Sequence, residues 1–304
     1  MIETRRLRTL RAVADHRTVT AAAAALHLTP SAVSQQLAAL EHEVGHRLLD
    51  RDGRGVRLTA VGHILLGHTN EILAQLERAG ADIAAYTAGT AGEVKVASFA
   101  TAIGLLVAPA VGVLRDSEPG IRVRVLDAEG DQSLTMVLDG AVDAAVAVEY
   151  RGAPAEDDRR LSRIPLYSEP FDVVLPRDHA LAEREVTVAD LAGETWIGPY
   201  PGNPCHDVIA LACEHAGFTP EFAHSSDDFS AVVALAAAGA GVAMVPRLAL
   251  RGTGLSGVAI RPVPGPERRV FTAVRRGAER HPLLVPLLDA LRHTATALDR
   301  TSSP

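Results

Sequence analysis

Between Gly62 and Thr87 the chain carries no proline, and Leu65, Thr69, Ile72, Leu76, Ala79, Ile83 and Tyr86 follow one another at alternating steps of four and three. That spacing is the seam of a coiled coil, because it keeps one apolar stripe on one side of a helix. A seam needs something to cover it. It can lie on the protein's own body, but a long helix between a small segment and a large one pairs more readily with its copy, which makes Leu65, Ile72, Leu76 and Ile83 the expected dimerisation residues. The helix divides the 304 residues into a head (1–60), a linker (61–88) and a body (93–300). Small residues from Thr87 to Gly92 form a hinge between the last two.

The division changes the meaning of the net charge. The whole chain stands at −7, which alone argues against a nucleic-acid partner. Split after Gly62, however, the first part holds nine Arg against six Asp and Glu, or +3, leaving −10 for the rest. A basic head sits on an acidic body. With 47% hydrophobic residues the chain can build real cores. Its N-terminus lacks the apolar run of a signal peptide, no run of 18 apolar residues is uninterrupted, and two cysteines are too few for a disulfide framework. These features point to a cytoplasmic protein with no membrane association.

In the head, Leu7, Leu10, Val13 and Ala14 mark a first helix ending near Asp15-His16. Thr18 or Thr20 can cap a second, over Ala21 to Leu26. Thr29 is a good cap and Pro30 suits the first helical position, where its missing N–H costs nothing, so a third helix runs from Pro30 to about Val44. Its apolar face is Val33, Leu37 and Leu40. Its opposite face, Ser31, Ser34, Gln35 and Ala38, is small and polar, as a helix entering a major groove requires. After Gly45, the segment from Leu48 to Thr59 reads as two strands around Gly53-Arg54-Gly55, a hairpin wing. A helix-turn-helix that binds DNA is the preferred reading; a plain helical subdomain is the alternative.

From 93 to 300 strands and helices alternate. Val94 to Ala97, Val123 to Leu126 and Ala144 to Val148 read as strands separated by helices over Ile103 to Leu114 and Ser133 to Leu138. A second run contains strands at Phe171 to Leu175, Trp196-Ile197, near Phe222 and at Val242 to Val245, with helices over Asp207 to His215 and Phe229 to Ala238. Arg269 to Val274 and a helix over Leu283 to Leu298 complete the chain. This is an α/β body of two lobes with largely parallel sheet, lobe I at about 93–165 and 266–300 and lobe II at about 166–265, with a ligand cleft between them.

Several segments resemble the LysR-type transcriptional regulator family: Ala21 to Leu26, Leu28 to Leu37, Leu40-Glu41, Val44-Gly45, Leu48-Leu49, Arg51 and Leu58 to Gly62, followed by Asp139 to Ala145 and Val233 to Pro246. The resemblance implies an N-terminal winged helix-turn-helix, a dimerising linker helix, and an effector domain shaped like a periplasmic binding protein. It implies a homodimer or homotetramer on double-stranded DNA bearing an interrupted palindrome, contact with RNA polymerase, a small-molecule effector, and no cofactor or enzymatic activity. Carried over by position, the groove-facing residues are Pro30, Ser31, Ala32, Ser34 and Gln35, and Arg54 reaches from the wing. Gln35 can offer a donor and an acceptor to a base edge. Arg51 and Arg57 suit phosphates, although Arg51 can instead pair with Asp50 or Glu41. Leu10 and Val19 stand where the family commonly has phenylalanine. Arg17 replaces a usual glycine, so the turn there is expected to tolerate a side chain.

The same resemblance places the effector against Ser98 and Thr101, Glu129 and Asp131, and Tyr200, Pro201, Asn203 and Asp227. Thr101 opens a helix and can either meet an anion or merely cap that helix. The acids on this list weigh against a simple carboxylate and leave amines, amino acids or neutral molecules. Cys205 and Cys213 lie where the family's peroxide-sensing branch keeps its redox pair, which makes a thiol-based redox sensor the alternative. Eight helical residues, though, span about 12 Å, beyond disulfide reach unless the helix unwinds. The set Cys205, His206, Cys213 and His215 has no recognised metal-ligand spacing. His42 and His46 read as a solvated helix face. No nucleophile elbow, phosphate loop or zinc helix is present, and Gly239-Ala240-Gly241 leads into a strand rather than a helix. A free solute-binding module would need the reverse of this chain's ends, a leader and no basic head.

Overall fold

In a computed structural model describing residues 2–52, 55–86, 91–150, 152–155 and 157–302, helix α1 (Thr4–His16) buries Leu7, Leu10, Ala12 and Val13. It ends at Arg17 in the left-handed region, φ 57°. The turn therefore keeps the backbone a glycine would supply, at a cost of about 1 kcal/mol for an L side chain. The reason is the wing: the Arg17 carbonyl accepts from the Val56 amide at 3.0 Å, so the turn is held by the hairpin it supports. Thr18, not Thr20, caps α2 (Val19–Ala25) by accepting from the Ala21 amide.

Helix α3 (Pro30–Val44) starts with Thr29 accepting from the Ala32 amide and Pro30 in its first turn, and stops at Gly45. Val33, Leu37 and Leu40 go inward against α1 and α2. Strands β1 (Leu49–Asp52) and β2 (Gly55–Leu58) pair antiparallel from Leu49 opposite Leu58 to Asp52 opposite Gly55. Gly53 and Arg54, at the tip, lie outside the described residues.

Helix α4 (Ala60–Tyr86) begins two residues earlier than its sequence pattern, because Thr59 accepts from the Gly62 amide. Gly62 is where α4 crosses the wing: a Cβ there would stand 2.2 Å from the Leu48 carbonyl oxygen. Farther along, Leu73, Ala74 and Ala81 are buried against the body, where Gly277 (φ 97°) gives room for the Ala74 carbonyl. The expected seam is thus not spent on the chain's own body. Ile72 and Leu76 are 43% exposed and Ile83 66%, and of the described side chains in that stripe only Thr69 is buried; Leu65 is half-buried on the head. The Tyr86 side chain and residues 87–90 of the expected hinge lie outside the described set.

The body opens with β3 (Gly92–Ser98), then α5 (Ala100–Ala102), a π-type turn (Ile103–Val107) and α6 (Ala108–Ser117). Pro109 cannot donate to the preceding turn, and the Ala108 amide reaches five residues back to Ile103; the widened turn absorbs that gap. Residues 100–117 reach a mean hydropathy of 1.3, the only described helix apolar and long enough to span a membrane. Leu106, Val107 and Leu114 are spent in the lobe I core. There follow β4 (Ile121–Asp127), α7 (Gly130–Leu138), β5 (Ala144–Val148) and β6 (Leu161–Pro176); then β7 (Thr195–Gly198), α8 (Pro204–His215), β8 (Glu221–Ser225), α9 (Phe229–Ala237) and β9 (Val242–Pro246); and finally β10 (Val258–Arg275) and α10 (Leu284–Ser302).

All eight body strands join one sheet in the order β4-β3-β5-β10-β6-β9-β7-β8. Pairing is parallel within each lobe, β4-β3-β5 and β9-β7-β8, and antiparallel through the middle, where β6 and β10 run side by side. These two strands are far longer than their sequence patterns, 16 and 18 residues, and belong to both lobes. One core gathers Val96, Leu106, Val146 and Leu291 under α6 and α10; the other gathers Phe171, Trp196, Ile209 and Met244 under α8 and α9.

The crossing at Gly62 yields a prediction. Gly62→Ala drives a methyl into backbone and lowers head stability by about 2–4 kcal/mol. Gly67→Ala, on the same helix with nothing within 4 Å, raises it by about 1 kcal/mol. Denaturant midpoints of the two variants check this.

Candidate nucleic-acid interface and interlobe cleft

The outward face of α3 follows from what its inward face consumes. Thr9, buried in α1, donates to Gln36 at 2.5 Å, so Gln36 turns inward. Its neighbour Gln35 is exposed, as are Pro30, Ser31 and Ser34, while Ala32 is half-buried. Ser31 and Thr29 share a hydrogen bond at 3.0 Å at the helix entrance. Among the described residues neither the Gln35 nor the Ser34 side chain is hydrogen-bonded to the protein, leaving both able to meet a base edge.

Three of the head's acids are engaged within the protein. Glu41 accepts from the Leu48 and Leu49 amides at 2.7 and 3.2 Å, which fixes the start of the wing. Glu43 pairs with Arg6 at 2.5 Å, and Asp15 with Arg160 of the body. Arg57 on β2 is exposed with no ion pair among the described residues. Arg47, between α3 and the wing, is the same and was passed over in the sequence because it belongs to no periodic element. The Arg51 side chain and all of Arg54 lie outside the described residues.

In the body the structure brings together three of the expected effector residues. Asn203 caps α8 through the Cys205 amide, and its Nδ2 donates to Asp227 at 3.1 Å and to Glu129, across the lobes, at 3.4 Å. The Tyr200 amide also donates to Asp227 at 3.1 Å. Gly130 at the head of α7 packs on Pro204. Tyr200, Pro201 and Asp131 are exposed around this junction. Ser98 is fully buried with its hydroxyl on the Phe99 carbonyl, so it does not face a ligand. Thr101 does not cap its helix: the cap position is Phe99 and no side chain bonds there. Beside the junction lies a cavity of about 280 Å³ lined by Glu149, Tyr150, Pro204 and Asp207, among others.

Beneath it is a pair that sequence reading missed. Arg268 on β10 and Glu169 on β6 are 1% and 0% exposed; Nε and Nη2 of Arg268 meet Oε1 of Glu169 at 2.8 and 2.7 Å, and the Leu248 amide donates to its Oε2 at 2.6 Å. Nη1 of Arg268 approaches Cys205 Sγ at 3.7 Å, and the guanidinium lies 5.0 Å from the centre of the Phe99 ring. The available signal was period: Arg268 shares its strand face with Val270 and Thr272, both buried.

Burial, with the like charge of Asp227 next and only a partial offset from Arg268, pushes the Glu129 carboxyl up to about 7. Burial likewise pushes Cys205 up to about 11 and Cys213 up to about 12, so both thiols are protonated at neutral pH. They sit in one unbroken α8, and His206 turns away to stack on Phe222 at 4.9 Å.

Since Glu129 binds its proton more tightly folded than unfolded, stability falls as pH rises from about 4.5 through about 7. Glu129→Gln removes this loss: above pH 7 the variant should be the more stable by up to about 3 kcal/mol, converging with the parent below pH 5. Denaturant midpoints taken from pH 4.5 to 8 check it.

Comparison with known proteins places both regions. Residues 4–63 match the model of the "Bacterial regulatory helix-turn-helix protein, lysR family", and residues 87–296 that of the "LysR substrate binding domain". The chain is 30% identical over 255 residues to the HTH-type transcriptional regulator AlsR of Bacillus subtilis, covering 81% of this chain and 80% of that protein. It is 25% identical over 304 residues to the hydrogen peroxide-inducible genes activator of Dickeya chrysanthemi, covering 98% of both. Among solved structures it is similar to full-length CbnR complexed with its target DNA, at 25% identity and a TM-score of 0.55, covering 97% of this chain and all of that one.

Proposed function

This chain belongs to the LysR family of transcriptional regulators, and from that premise we propose that two copies grip an interrupted palindrome through paired heads while a small molecule between the lobes governs the grip. The observation that carries the reading is the α3 face: Ser34 and Gln35 stand exposed on α3 and Arg57 on β2, while Glu41, Glu43 and Asp15 are consumed internally. Pro30, Ser31, Ala32, Ser34 and Gln35 form the groove-facing set, with Arg51, Arg54 and Arg57 on the backbone. Two-fold pairing along Leu65, Ile72, Leu76 and Ile83, as a dimer or within a tetramer, gives the operator its symmetry. The functional units are 1–60, 61–88 and 93–300.

The protein acts by binding rather than catalysis, in the cytoplasm, and conveys its state to RNA polymerase. Its effector contacts Thr101, Glu129, Asp131, Tyr200, Pro201, Asn203 and Asp227. With Glu129 and Asp227 converging there, a neutral or amine-bearing molecule suits the cleft better than a simple carboxylate. The redox alternative has the peroxide-responsive relative in its favour; the burial of Cys205 and Cys213 weighs against it.

Selection of bound sequences from a random duplex pool tests the reading. The parent chain should enrich one palindromic site, and an unenriched pool overturns the proposal. Gln35→Ala should relax preference at one position per half-site, costing about 1–3 kcal/mol there. Arg57→Ala should weaken all duplexes alike and lower the salt slope by about 1. Cys205→Ser should leave the response to peroxide unchanged; its loss would establish the redox reading instead.

A further inference from the structure

Helix α7 touches the ligand cleft with one end and the head with the other. Its first residue, Gly130, lies against Pro204 of lobe II, next to the Glu129–Asn203 contact. Its nine residues make a rod of about 13 Å. At the far end, the Leu138 carbonyl accepts from Nη2 of Arg11 at 3.1 Å, and Asp139 meets His16 at 3.1 Å; Arg11 and His16 both belong to α1 of the head. A free carbonyl at a helix C-terminus is a natural acceptor for a guanidinium.

The acids at this junction are placed where their own helices disfavour them. Asp15 sits in the last turn of α1 and Asp139 directly after α7, each at the negative end of a helix dipole. Each meets a side chain of the other unit: Asp139 the His16 ring at 3.1 Å, and Asp15 the Arg160 guanidinium at 2.5 Å. Arg160 is pre-aimed by Asp158, which holds its Nε and Nη2 at 3.1 and 2.8 Å, and all three side chains of this clasp are less than a quarter exposed.

Both long strands begin or end here as well. Arg160 directly precedes β6. At the end of β10, Arg275 donates to the Val137 and Val142 carbonyls at 3.1 Å and pairs with Glu77 of α4 at 3.2 Å, while Arg276 donates to the Asp158 carbonyl at 2.7 Å. The other ends of β6 and β10 lie in lobe II. Lobe II is therefore connected to this one junction twice, through α7 and through the strand pair.

We propose that the head is docked on lobe I of its own chain by the Asp15–Arg160 and His16–Asp139 clasp, and that α7 passes the state of the interlobe cleft to it. The docked head presents α3 at one fixed angle; displacement of α7 releases it. The coupling half of the proposal rests on the reading of that cleft as the ligand site, whereas the docking half does not.

Hydrogen exchange of the full-length chain, without DNA, tests both halves. Asp15→Asn should speed exchange of the amides at 11–17 about tenfold, leaving those of α3 unchanged. Arg160→Ala should do the same, and the double variant no more than either alone. Exchange unchanged from the parent, or additive effects, would overturn the dock; if Arg160→Ala fails to fold, Asp15→Asn decides alone. Asn203→Ala, which cuts the tie to Glu129 in lobe II, should change exchange at 11–17 by about threefold. No change there, with the dock intact, would overturn the coupling. None of these readouts involves operator recognition, so a negative result leaves the DNA-binding reading standing.

Discussion

The fully buried ion pair between Arg268 and Glu169 is the point through which the body is organised. Two opposite charges without water are tolerable only because each is also hydrogen-bonded, and removing one partner of such a pair costs about 3–5 kcal/mol. The pair joins β6 to β10 where they pass between the lobes, draws in the Leu248 amide after β9, and places the arginine beside Cys205 and Phe99. Elements from both lobes thus converge on one guanidinium and one carboxylate. The proton affinity of Glu129 is set partly by the same arginine.

What could be read in the sequence was what is determined locally. Thr18, Thr29, Pro30 and Gly45 act within one helical turn of themselves, so α2 and α3 were legible to within a residue or two. The polar face of α3 was legible because its counter-face, Val33, Leu37 and Leu40, must be buried. The long strands were not. Pro165 and Pro170 in β6, and Pro262, Pro264 and Pro266 in β10, read as breaks, yet the register shifts between Pro262 and Glu267 and again at Val270 let the ladder continue past them.

The candidate site shows the same boundary. Glu129, Asn203 and Asp227 could each be named as loop residues, but their convergence is tertiary. Arg268 with Glu169, and Asp15 with Arg160, are separated by 99 and 145 positions and leave no local trace. Arg17 shows the converse: a residue that local rules would exclude from a left-handed turn is held there by the wing. Ser98 closes β3 and is lost to the core, since burial depends on what packs over the end of that strand.

The close passage of Gly62 under the Leu48 carbonyl has a mechanical meaning. With no slack between wing and α4, the head and the 27-residue helix turn as one lever of about 40 Å. A tilt of roughly 10° about Ala74, where the helix rests on Gly277, carries the head end of the helix, about 21 Å away, through about 3.7 Å, close to the rise of a single base pair. Such a tilt is then large enough to move the head by one step along a duplex.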